Sequence, residues 1–131
     1  MNKYALLILL PFFLFPACDP GAETIIEIKN NTSFNLHITF SNDYLSRDID
    51  VKENESNFLS LRSLGGFKDP NNEFIKIIFI DSDSEEVIKE LILNEDDKLF
   101  EFIKAENHGK RIVNWKGFYI INIDNDLLIE H

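Results

Sequence analysis

Four groups of residues in this chain of 131 have the type and spacing to do chemistry. The first is Cys18, the only cysteine, which is followed by the polar turn Asp19-Pro20-Gly21. A lone thiol cannot build a disulfide framework, so its uses are modification or burial. The second is the acidic run Asp81, Asp83, Glu85 and Glu86, where oxygen ligands at nearly alternate positions can converge on a hard cation. It lacks the glycine and the distal glutamate of an EF-hand loop, so a solvated hairpin tip explains it as well. Asp124 and Asp126 carry the same two readings.

The third group is His37, His108 and His131. None has a second histidine at metal-site spacing, which argues against zinc. His37 needs a serine and an aspartate beside it in space to form a hydrolytic triad, and no Gly-x-Ser-x-Gly elbow supplies the serine. The fourth group is aromatic: Trp115, Phe118 and Tyr119 surround Lys116 and Gly117, and Phe58 and Phe67 flank Gly65-Gly66. Exposed, such residues make a protein or glycan contact; turned inward, they are ordinary core. Gly65-Gly66 is not a phosphate loop, because no Lys-Ser or Lys-Thr follows at the required interval. These groups predict no catalytic residues, no metal and no cofactor, and a hydrolase is the least favoured reading.

What positions Cys18 is the segment before it. Met1-Asn2-Lys3 is a short basic start, and Ala5 to Ala17 (ALLILLPFFLFPA) carries no charge. A membrane-spanning helix needs about 20 apolar residues. This run is shorter and holds Pro11 and Pro16, so it reads as the apolar core of an export signal. Phe15-Pro16-Ala17-Cys18 resembles the lipobox of bacterial lipoproteins, in the relaxed form found in spirochaetes among others; leucine is usual where Phe15 stands. The resemblance covers only about the first 20 residues. It implies cleavage between Ala17 and Cys18, a diacylglyceryl group on the Cys18 sulfur, and an acyl chain such as palmitate on the new amine. It also implies an exported protein held on a bilayer in the cell envelope. Asp19 occupies the position that retains enterobacterial lipoproteins at the inner membrane, but that rule is not general, so inner and outer membrane both stay open.

The resulting division is a signal peptide at 1–17, a lipidated cysteine and tether at 18–23, and one domain at 24–131. Several acyl chains hold a protein permanently where one does not. Five tether residues from Asp19 to Glu23 reach about 17 Å at most. The chain has 13 basic and 23 acidic side chains, and the leader removes Lys3 from the basic side. So anionic a domain is a poor partner for nucleic acid. Repulsion from anionic headgroups predicts no lipid contact beyond the anchor.

The domain itself reads as strands separated by turns. The only alanines of the mature part are Ala22 and Ala105, while isoleucine and phenylalanine are abundant, a composition suited to pleated surfaces. Period-two alternation marks Thr24 to Lys29 and Asn35 to Phe40, with Ile26, Ile28, Leu36, Ile38 and Phe40 on the inward faces. Shorter strands are predicted at Ile49 to Val51 and Asn57 to Leu61, then a long loop from Arg62 to Asn72. Phe74 to Ile80 reads as a central strand covered on both sides. Val87 to Leu93, Lys98 to Lys104, Phe118 to Ile123 and Leu127 to Glu130 complete the set, the last two as a hairpin across Asp124-Asn125-Asp126. Eight or nine short strands predict an all-β antiparallel sandwich of immunoglobulin-like type. Residues 85–106 also fit two helices, which would make the fold α+β instead.

The function predicted on this basis is a membrane-anchored binding or interaction module, contacting an envelope protein or glycan. A structural spacer or an inhibitor in the envelope is the alternative.

Overall fold

A computed structural model of the chain describes residues 21–64, 66–107 and 114–129. The alternating segments form strands, and in β1, β2 and β8 nearly every second residue is buried. They are β1 (Gly21–Asn31), β2 (Leu36–Ser41), β3 (Ser46–Val51), β4 (Ser56–Leu64), β5 (Lys76–Asp81), β6 (Val87–Ile92), β7 (Glu101–Asn107) and β8 (Trp115–Asp124). Among the described residues these eight make two four-stranded sheets, ordered β4-β1-β8-β7 and β3-β2-β5-β6. The protein is a small β-sandwich. Residues 85–106 supply β6 and β7 with no helix between them.

The inward faces meet in one core. Ile26, Ile28, Leu36, Ile38, Phe40, Ile77, Phe79 and Ile123 are fully buried there, with Leu59, Leu61 and Ile121 beside them. Each such side chain contributes about 1.5–3 kcal/mol relative to leaving it in water.

Four expectations are corrected. The pairing of β1 with β8 is parallel, from Ala22 opposite Trp115 to Asn31 opposite Asp124, while the other pairings are antiparallel. Residues 127–130 do not form a hairpin partner for β8: Asn125–Ile129 is a helical turn, α2, whose Leu127 N–H donates to the Asp124 carboxylate at 2.8 Å. β8 is already bonded on both edges, by β1 and β7, so a ninth strand has no edge to join. β5 is internal to its sheet but covered on one face only; Ile78 and Ile80 on the other face are half-buried.

The fourth correction concerns 62–72. β4 runs on to Leu64, and Pro70–Glu73 forms a short helix, α1, after the Asp69 side chain accepts the Asn71 N–H. Together with Phe67 and Lys68, this makes a strap between the sheets. β1 also begins at Gly21, within the 18–23 segment assigned to the tether, and Ala22 is already buried.

One buried polar side chain closes the far end of the sandwich, away from Gly21. Asn30 is fully buried, and its amide donates to the carbonyls of Phe34 and Val51 at 2.8 and 2.9 Å. Its Oδ1 accepts the Thr32 N–H and hydroxyl, at 3.0 and 2.6 Å, and its own N–H bonds the Glu55 carbonyl. One side chain thereby ties together the ends of β1 and β3 and the first turn. Asn30→Ala strands several buried groups at about 1–3 kcal/mol each, so a loss of about 3 kcal/mol or more is expected in urea unfolding. A loss below about 1 kcal/mol would show that water replaces the amide.

Candidate functional site

The two sheets do not close on each other along the β7 edge. There an open groove of about 740 Å³ lies beside Phe67, Asn71, Leu99, Phe100, Phe102 and Tyr119, with Asp69, Lys98 and Glu101 among its polar rim. Tyr119 comes from the inward face of β8 and is 5% exposed. Phe102 lies opposite it on β7, yet remains 53% exposed because no strand covers that edge. Phe67 arrives from the strap, its ring parallel to Phe102 within 3° at 6.3 Å between centroids. Tyr119 sets its ring edge-on to both, at 5.3 Å from Phe102 and 6.5 Å from Phe67.

The strap is fixed by two polar side chains. The Thr24 hydroxyl, buried on β1, accepts the Lys68 N–H and donates to the Lys68 carbonyl. The Asn71 amide bonds both main-chain groups of Phe100, accepting its N–H at 2.9 Å and donating to its carbonyl at 2.7 Å. This copies a β-bridge with a side chain, and it locks Phe100 between Phe40 and Phe74. Gly117 gives the Phe67 ring its seat, since a Cβ there would stand 2.3 Å from the ring.

β7 is bonded on one edge only, and a bulge at Ile103 interrupts its ladder. Bulges and charges such as Glu101 and Lys104 discourage strand addition to an open edge. The groove therefore offers side-chain contact and not a strand template. The exposed Phe102 ring gives a partner an apolar face, backed by Phe67 and Tyr119, and the rim gives both signs of charge.

The aromatic group foreseen in the sequence does not stay together. Tyr119 turns inward to the groove, Phe118 turns outward beneath the Lys104 ammonium at 5.0 Å, and Trp115 stands exposed at the Gly21 end. Adjacent residues of a strand face opposite ways, so Phe118 and Tyr119 cannot share a surface. Phe102 was missed. Its neighbours Glu101 and Lys104 suggest a solvated strand, and only the position of β7 at the rim makes its ring part of a site.

His37 sits on the outer face of β2, its Nδ1 2.7 Å from the Asp50 carboxylate and its Nε2 3.8 Å from Asp48. The nearby Thr39 hydroxyl donates to Asp48 instead of approaching the ring, so no nucleophile completes a triad. Asp81, Asp83 and Glu85 form the tip of the β5–β6 hairpin: Asp81 accepts the Asp83 N–H, and its carbonyl accepts the Glu85 N–H. Among the described residues no three histidine, cysteine, aspartate or glutamate side chains are grouped to hold a metal ion. Cys18, Ala17, His108 and His131 lie outside the described residues. No family model, curated protein or solved structure gives a significant match to the chain.

Two outcomes test the groove. Gly117→Ala should cost about 1–3 kcal/mol by displacing Phe67, and the cost should shrink when Phe67→Ala is already present. Equal costs in both backgrounds would mean that the ring is not seated on the glycine. Burial raises the Tyr119 phenol above its ordinary 10.0, and the Asp69 carboxylate adds to the shift. The folded chain then keeps a proton that the unfolded chain releases, so stability falls as pH rises through and above about 10. Unfolding curves across that range should show the fall, and Tyr119→Phe should reduce it.

Proposed function

We propose that this protein is a bacterial cell-envelope lipoprotein, held on a bilayer by acyl chains on Cys18, that works as a non-catalytic binding module. The observation that carries the anchor is the uncharged run from Ala5 to Ala17 ending at the only cysteine. The fold is compatible with this, because the first sheet residue, Gly21, follows Cys18 by three positions. Among the described residues no helix is long and apolar enough to cross a membrane.

The observation that carries the binding role is the groove. Phe67, Phe102 and Tyr119 form a recess of about 740 Å³ beside an edge that resists strand addition. Concave sites lined by aromatic rings with a few polar groups suit a ligand that presents an apolar face. An envelope protein with an exposed aromatic or aliphatic side chain fits, as does the apolar face of a sugar ring. The chemistry is contact and not turnover: His37 lies on the outer face of the other sheet, with carboxylates for neighbours.

Anchor and groove are tested separately. Cys18→Ser should move the protein from the membrane fraction into the aqueous phase of a detergent cloud-point partition; unchanged retention would remove the lipid. A photo-crosslinking residue at Phe102, used on intact cells, should capture a discrete partner that the same probe at Phe58 does not. Equal labelling from both positions would favour the spacer reading.

A further inference from the structure

Parallel pairing of β1 and β8 gathers at one end of the sandwich the features that a bilayer surface would meet. Gly21 opens β1 there, with Leu64 opposite it on β4 and Trp115 beside Ala22 on β8. Leu64 is 80% exposed, far more than a leucine in a strand needs to be. At the same end the turn between β2 and β3 carries Tyr44, which is 98% exposed. Between the sheets a niche of about 180 Å³ is lined by Arg47, Arg62 and Lys68, with Glu73 as its single carboxylate. Arg47 and Arg62 make no ion pair among the described residues, and Lys68 reaches only Glu73, at 3.9 Å.

The chain is net acidic, and its carboxylates lie at both ends. Glu53, Glu55, Asp81, Asp83, Glu85 and Glu86 lie in turns at the opposite end. Asp43, Glu95, Asp96 and Asp97 lie in turns at the near end, so an approach to phosphates there depends on the local cluster of Arg47, Arg62 and Lys68. Repulsion by total charge, the basis for expecting no lipid contact beyond the anchor, overlooks this local cluster.

Chain length decides how near that end must stay. Only Asp19 and Pro20 separate Cys18 from Gly21, a reach of about 10 Å when fully extended. A lipid on Cys18 therefore keeps Gly21, and with it the paired Leu64 and neighbouring Trp115, within about 10 Å of the headgroups. Tryptophan and tyrosine favour that level, where an apolar ring and a polar group are both accommodated. We propose that this end docks on the bilayer itself, with Leu64 and Trp115 entering the headgroup layer and Arg47, Arg62 and Lys68 meeting lipid phosphates. The proposal rests on the anchor at Cys18. It makes the sandwich stand upright, with the β3–β4 and β5–β6 turns farthest from the membrane.

Trp115 is the only tryptophan, so its fluorescence reports the contact directly. The lipid-modified full chain is placed in vesicles of phosphatidylcholine and phosphatidylglycerol, with and without bromine on the acyl chains. Docking predicts co-flotation with the vesicles and loss of about half the Trp115 emission in brominated lipid, as for a ring at the headgroup level. Leu64→Glu, at a position too exposed to affect folding, should restore most of that emission, and so should joint reversal of Arg47 and Lys68 to glutamate. Co-flotation without quenching overturns the docking and leaves the anchor standing. Quenching that neither variant reduces also overturns it. Failure to float removes the anchor and the docking with it.

Discussion

The structure depends on the parallel pairing of its first and last strands. β1 and β8 lie side by side at the centre of one sheet, each bonded on both edges. Their inward residues, Ile26 and Ile28 with Tyr119, Ile121 and Ile123, form one wall of the core. Parallel neighbours cannot be joined by a tight turn, so the intervening chain crosses between the sheets before β8 can return. That constraint puts Gly21 and Trp115 at the same end. It also fills both edges of β8, which leaves α2 to continue the chain as a helical turn.

Buried amides hold what strand pairing leaves open. Asn30 at one end and Asn71 under the strap each supply donors and an acceptor to main-chain groups that have no ladder partner. Buried polar groups are tolerated when every bond is made, and no buried side-chain nitrogen or oxygen is left without a partner among the described residues. The strap that Asn71 and Thr24 secure is also what brings Phe67 over Gly117. A structural device thus creates the aromatic groove.

On the reading proposed above, the two ends and the open edge divide the labour of an anchored module. The end near Gly21 presents Leu64, Trp115 and the cluster of Arg47, Arg62 and Lys68, and the groove opens beside β7. In such an arrangement the groove faces along the membrane instead of into it. A partner could reach the rings without displacing the anchor.

Much of the fold was legible in the sequence because period-two alternation is local. Leu36, Ile38 and Phe40 declare their face within six residues, and the β-rich composition around Val87 and Phe102 outweighs the helical spacing of 85–106. The basic start, the apolar run and Cys18 likewise carry the proposed address without any fold. What alternation cannot report is which strand lies beside which. The parallel β1–β8 pair links residues nearly 100 positions apart, and no turn signal records it. Phe102 becomes part of a groove only because β7 is an edge, and Arg62 and Arg47 line one niche only because two sheets stack. The sequence by itself determined the strands and their inward faces; tertiary structure alone decided the strand order, the groove and the near end, because these arise from contacts between segments that the chain keeps far apart.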